Sequence, residues 1–241
     1  MPTDNLILDG LPEGVRATIE PHLTPVDLPQ SLILQEAGRP VSQVYFPLSG
    51  MVSLVAVTPS GESIETGIVG REGLVGGLAV GDLTSFAQAI VQIEGQALRI
   101  GASQFRALCQ EHLPLRECVD RYQAFILTQA QQNAACHALH SLEGRLCRWL
   151  LQSQDLIDSN QIALTQEFLS YMLGVRRPTV SVAASELQRD GLITYRRGTI
   201  TVLDRAGLLK RSCQCYEVLC DEIAAQQPGE KRAAVPPPRT A

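Results

Sequence analysis

The chain has 241 residues, 45 % of them hydrophobic and 19 % charged, with a formal net charge of −5. That length accommodates two domains of ordinary size, and no run of about 18 apolar residues is present to cross a membrane as a helix. The N-terminal stretch MPTDNLILDG has neither a basic flank nor an apolar core, so no signal peptide is expected, and the expected location is cytoplasmic without a membrane partner.

Charge is unevenly spread. Residues 1–141 carry 7 basic and 14 acidic side chains, whereas residues 176–211 carry 8 basic and 3 acidic. Attraction to phosphate is a local matter, so the basic segment counts for more than the total. Seven cysteines, Cys109, Cys118, Cys136, Cys147, Cys213, Cys215 and Cys220, are odd in number and lack a framework spacing. In a cytoplasmic chain they are expected to be thiols.

In chain order, residues 1–30 hold five prolines and one short helical stretch, Leu11–His22. Short apolar or alternating runs follow at Leu32–Leu34, Val44–Phe46, Met51–Val57, Ser63–Val69, Gln88–Ile93 and Gln96–Ile100, separated by glycine- and proline-rich breaks. Strands at that spacing suggest a jelly roll or related double-sheet barrel. Ser103 is placed to cap a helix over Gln104–Glu111. Pro114 then opens a long helix reaching His140. Within it Leu115, Val119, Tyr122, Ile126, Gln129, Asn133, Cys136 and His140 recur at heptad spacing, apolar first and polar later. Two readings are open: a dimer interface along this seam, or a helix packed on its own β-domain. The dimer is favoured, because helix-turn-helix proteins commonly read two half-sites with two-fold symmetry. A further helix, Gly144–Gln154, has Leu146, Trp149 and Leu150 as its core residues.

The most informative stretch is LTQEFLSYMLGVRRPTVSVAASELQRDGLI, residues 164–193. Leu169, Met172 and Leu173 share one helical face, Gly174 falls at a turn, and Val180, Ala184 and Leu187 recur at helical spacing. Arg176 and Arg177 precede Pro178, which a first helical turn tolerates, and Gly191 closes the second helix. Tyr195-Arg196-Arg197-Gly198 reads as a hairpin tip and Thr199–Val202 as its return strand. Helix, turn, helix and basic hairpin make a winged helix whose second helix enters a DNA major groove. Asp204–Ala225 reads as one final helix, and Gln226–Ala241, with Pro236-Pro237-Pro238, as a disordered tail.

The resulting expectation is an α+β chain with four parts: a β-roll domain over 1–113, a dimerisation helix over 114–141, a winged helix-turn-helix over 142–211, and a helix end with tail over 212–241. This order, with VYFPLSGMVSLV (44–55), GREGLVGG (70–77), GRLCRWLL (144–151) and residues 164–193, resembles the Crp/Fnr family of bacterial transcription regulators. The resemblance implies a cyclic-nucleotide-binding-type double-stranded β-helix, homodimers on palindromic promoter DNA, and RNA polymerase as a further partner. It places base reading on Arg177, Pro178 and Val182 and a phosphate-facing cap on Arg176. Of these, Arg177 keeps a side chain able to grip guanine O6 and N7, and Val182 could meet a thymine methyl. Thr179, Ser181 and Ser185 are further polar candidates on the helix face. Gln166, Arg196 and Arg197 are the phosphate candidates.

For cyclic-AMP-binding members the resemblance implies a glutamate for the ribose and an arginine for the phosphate. Here Gly70, Glu72 and Gly73 remain, Arg71 lies too early, and the arginine position falls near Ser85. These five are the ligand candidates, but without the guanidinium the phosphate loses its bidentate partner, so the effector is left unidentified. No cofactor is expected. Residues 31–111 contain no histidine for a haem, no cysteine precedes Cys109, and Cys213, Cys215 and Cys220 show no fourth ligand nearby in the chain. No nucleophile elbow, phosphate loop or HExxH is present, so an enzyme is not expected. The alternative, a ligand- or partner-binding scaffold without DNA binding, is opposed by Arg176, Arg177, Arg196 and Arg197.

Overall fold

A computed structural model of the chain describes residues 3–81 and 83–226. It opens with α1 (Leu6–Asp9), whose first amides are capped by the Asn5 side chain, and α2 (Glu13–Ile19), which continues as a 3-10 turn over Glu20–His22. Seven strands follow: β1 (Thr24–Leu28), β2 (Ile33–Gln35), β3 (Gln43–Pro47), β4 (Met51–Val57), β5 (Ser63–Val69), β6 (Gln88–Ile93) and β7 (Gly95–Gly101). They form two antiparallel sheets ordered β1-β7-β3 and β2-β6-β4-β5, the expected roll. β1 escapes the sequence pattern because Pro25 and Asp27 interrupt it. As an edge strand paired to β7 alone it tolerates both.

β4 reads as an almost continuous apolar run because both of its faces are covered. Val52 and, on β5, Val69 belong to the core inside the roll. Their neighbours Met51 and Ile68 join a second core with Trp149, Leu150 and Leu173 of the C-terminal half. Successive side chains on a strand point to opposite faces, so one strand serves two cores.

α3 (Ala102–Glu111) leads into α4 (Leu113–Leu139). The expected Ser103 cap is not used: Gly101 occupies the cap position and makes no side-chain bond. The side of α4 facing the roll corrects the dimer seam. Leu115, Val119, Tyr122, Gln129 and Asn133 are all buried within this one chain, and Ile126 packs beside them. Gln129 takes the Ile68 amide and returns a bond to the Ile68 carbonyl at 3.3 Å, while Asn133 donates to the Thr66 carbonyl at 3.0 Å. These polar residues satisfy β5, whose backbone would otherwise be buried without partners. The seam therefore belongs to the chain's own β-roll.

α5 (Leu142–Ile157) is capped by Ser141, whose Oγ accepts from Gly144 N at 3.2 Å. The remainder is β8 (Gln161–Ala163), α6 (Gln166–Leu173), α7 (Arg177–Arg189), β9 (Ile193–Arg196), β10 (Thr199–Val202), α8 (Arg205–Arg211) and α9 (Cys215–Ala224). The wing is a three-stranded sheet, β8-β10-β9, one strand more than the sequence suggests. The single helix expected over Asp204–Ala225 is two, broken at Ser212 to Gln214. The proposed tail lies outside the described residues from position 227 onward. Among the described residues no helix is long and apolar enough to cross a membrane.

Candidate nucleic-acid interface

The helix pair is set by local chemistry. Thr165 Oγ1 caps α6 by accepting from Phe168 N at 3.2 Å, and Gly174 ends it in the left-handed conformation at φ 62°. Leu169, Met172 and Leu173 on α6 pack with Val180, Ala183 and Leu187 on α7 in the second core. Ser181 Oγ donates to Gln166 Oε1 at 2.8 Å and locks the two helices at their N-terminal ends. Gln166 and Ser181 are therefore partly spent on each other, and Ser185 returns its hydroxyl to the Ser181 carbonyl at 2.7 Å.

Burial of Val180, Ala183, Ala184 and Leu187 turns the opposite side of α7 outward. Pro178, Val182 and Ser185 are exposed on that side, with Val182 60 % accessible. Arg189 lies one turn beyond Ser185 on the same line and is exposed, touching Asp190 at 3.5 Å. It is a candidate the sequence reading omitted, although its i+4 spacing from Ser185 could have indicated it. Thr179 is exposed too, and with Pro178 and Val182 it borders a shallow groove shared with Leu142 and Glu143 of α5. Arg176 is the cap residue of α7 and is exposed, as is Arg177 at its first helical position.

The wing closes a second recess. Arg197 (φ 50°) and Gly198 (φ 80°) form a two-residue turn between paired Arg196 and Thr199. Two left-handed residues in succession match the twist of the flanking strands, and glycine adopts the second at no steric cost. Thr165, Gln166, Arg177, Tyr195, Arg197 and Gly198 surround an open cleft of about 400 Å³. Its floor is the start of α6, and Arg177 and Arg197 are among its walls. Helix amides and arginines converging in one recess are a phosphate-binding arrangement.

The proposed ligand residues do not converge in the same way. Gly73 lets α4 approach: a Cβ there would collide with the Tyr122 ring. Glu72 is buried, and its Oε1 accepts from Gly70 N at 2.9 Å, so it caps its own turn. Burial pushes its carboxyl above the usual range. Arg71 is exposed. Of the five candidates only Ser85 reaches the cavity of about 210 Å³ between the roll and α4. Gln35, Thr66, Leu74, Phe86, Gln123 and Ile126 line it as well, and among the described residues no charged side chain does. Gly70, Arg71, Glu72 and Gly73 stand apart from that cavity: Gly73 seats α4, and Glu72 lines a separate cavity of about 230 Å³ with Tyr122 and Arg121.

A jelly roll joined by a long helix to a winged helix defines a DNA-binding transcription regulator of two domains. Two family models match the chain, a cyclic nucleotide-binding domain over residues 25–112 and a Crp-like helix-turn-helix domain over residues 144–211. The chain is 24 % identical over 216 residues to a CRP-like cAMP-activated global transcriptional regulator of Mycobacterium tuberculosis, covering 86 % of this chain and 96 % of that one. Its fold is similar to a Crp/Fnr-family transcriptional regulator from Eubacterium rectale, with TM-score 0.69, 16 % identity, and 87 % of this chain and 99 % of that one covered. It is also similar to FixK2 from Bradyrhizobium japonicum, with TM-score 0.67, 16 % identity, and 79 % and 98 % covered. The chain belongs to the Crp/Fnr family of transcription regulators.

Proposed function

We propose that this regulator acts as a homodimer on a two-fold-symmetric promoter site, each α7 entering one major groove. The observation that carries this is the outward line of α7 beside the arginine-walled cleft, which puts a base-reading edge next to a phosphate seat. Arg177, Val182, Ser185 and Arg189 face base edges, and Gln166, Arg176, Arg196 and Arg197 face the backbone. Thr179 sits at the margin. With the buried seam occupied, the dimer forms along the other face of α4, where Ala124, Leu127, Gln131, Ala134 and Ala138 are exposed at alternating spacings of three and four. RNA polymerase is the partner through which occupancy becomes regulation.

A signal enters at the cavity between the roll and α4 and reaches α7 as a shift between two dimer arrangements. The relative in Mycobacterium tuberculosis is cAMP-activated. Here the described residues of the cavity offer a cyclic phosphate no guanidinium, so an uncharged effector fits its lining better. Selection of genomic fragments by the purified protein, without ligand and at fixed salt, tests the reading. Enrichment of a palindrome with half-sites about one helical turn apart supports it. No enrichment, with or without a cell extract supplying effectors, overturns it.

A further inference from the structure

The break between α8 and α9 does more than end a helix. It turns Cys213 and Cys215 toward the C-terminal end of α4, where Cys136 and His140 sit four residues apart on one face. Cys136 Sγ lies 3.5 Å from Cys213 Sγ, and Cys215 Sγ lies 3.3 Å from His140 Nδ1. All four ligand atoms fall within 4.8 Å of one another. Cys220, which the chain order groups with Cys213 and Cys215, is absent from this set.

We propose that Cys136, His140, Cys213 and Cys215 form a binding site for one Zn²⁺ ion, which clips the central helix to the end of the winged-helix domain. Three thiolates and an imidazole are a recognised structural zinc set. A tetrahedral ion at about 2.3 Å from sulfur holds its ligand atoms about 3.8 Å apart. The observed spacings bracket that value. A cluster of two irons spreads its ligands over two centres, and this set is too compact for one.

The surroundings favour an ion held by three thiolates. Gln132, one turn before Cys136, donates to Cys215 Sγ at 2.9 Å, the outer bond that metal-bound sulfur commonly receives. Arg145 and Arg148 on α5 are 8 % and 3 % exposed, and each leaves its Nε without a hydrogen-bond partner among the described residues. Neither forms a salt bridge among those residues. Burying guanidinium groups without an anion is costly. Arg148 lies within electrostatic reach of Cys136 and Cys213. Zn²⁺ with three thiolates and a neutral imidazole carries a net charge of −1, and it adds a counter-charge beside these guanidinium groups, of which Arg148 also feels the Glu65 carboxyl.

Binding releases the three thiol protons to solvent and changes no oxidation state. The site joins residues 77 positions apart, and Cys213 N also donates to Gly144 O of α5 at 3.2 Å, so the clip reaches the helix that carries the DNA-binding domain.

The test uses the full chain, purified anaerobically with reductant, and measures bound zinc together with the absorption of the Co²⁺-loaded protein. Metal binding is read without DNA, so its failure is separable from failure of the DNA-binding reading. The expected result is one ion per chain, with thiolate-to-cobalt charge transfer and the intense visible bands of tetrahedral Co²⁺. Cys213→Ser and Cys215→Ser should each lose about a third of that charge transfer, one thiolate of three, and bind the metal at least tenfold more weakly, while Cys118→Ser matches the parent. A parent chain that binds neither Zn²⁺ nor Co²⁺ stoichiometrically overturns the proposal, whatever the variants do. So does a Co²⁺ spectrum unchanged in both serine variants, a Cys136–Cys213 disulfide as the isolated form, or iron with inorganic sulfide in place of zinc.

Discussion

Arg177 and Arg197 stand on opposite sides of one cleft but differ in the backbone beneath them. Arg177 starts α7 and is carried by a helix whose position the second core fixes. Arg197 sits at a hairpin tip in a left-handed conformation, with solvent on most sides. The first is placed to find a particular base and the second to find any phosphate. Arg177→Ala should therefore reduce discrimination between the selected site and random DNA by about 1–3 kcal/mol. Arg197→Ala should weaken both alike and lower the salt slope of binding by about one ion. Fluorescence anisotropy on both DNAs over a salt series separates the two outcomes. If Arg177→Ala weakens specific and random DNA equally, Arg177 is a phosphate contact and the base-reading assignment is wrong.

Each side of α4 meets a different environment, so a substitution on one side has a different cost from one on the other. Val119 is fully buried against the roll, whereas Leu127 is 59 % exposed. Val119→Asp buries a carboxylate among apolar groups and should cost several kcal/mol, enough to unfold a chain of ordinary stability. Leu127→Glu should leave the melting temperature of the monomer nearly unchanged and split the dimer, because like charges then meet across the two-fold axis. Sedimentation read beside thermal melting distinguishes these effects, and a Leu127→Glu chain that stays dimeric removes this face from the interface. The same helix shows what a sequence can and cannot carry. Heptad spacing revealed that Leu115, Val119 and Tyr122 share a buried side, but a period contains no information about which surface covers it. Strands such as β4 and β5 were legible because β-branched runs end at glycine and proline, and α6 and α7 because Gly174 and Pro178 punctuate them. β8 is three residues long with a single buried side chain, Ile162, and leaves no period to read. The approach of Cys215 to His140 spans 75 positions and depends on where α8 stops, which no local pattern records.

At the scale of the whole molecule, the roll and the winged helix share a core, and two titratable groups lie in that junction. Glu65 on β5 is buried and accepts from Ser53 Oγ at 2.5 Å and from Trp149 Nε1 of α5 at 3.0 Å. Burial pushes its carboxyl up to about 7, against the hydrogen bonds and the Arg148 guanidinium. His137 near the end of α4 is pushed down to about 4 by burial and by Arg145 and Arg148. The two act on stability with opposite signs. Between its ordinary value of 4.5 and about 7 the folded chain keeps the Glu65 proton that the unfolded chain has lost, so Glu65 makes stability fall as pH rises. Between about 4 and its ordinary value of 6.5 the unfolded chain binds a proton at His137 that the folded chain refuses, so His137 makes stability rise with pH. Each slope is about 1.4 kcal/mol per pH unit, and Glu72, also raised by burial, adds to the Glu65 slope. Glu65→Gln keeps an acceptor for Trp149 and removes one of the opposing slopes. Denaturant titrations of that variant should show less stability gained, or more lost, on acidification through this window than the parent shows. A Glu65→Gln chain with the same pH dependence as the parent would mean that Glu65 is already ionised at the junction, with Arg148 as its full counter-ion.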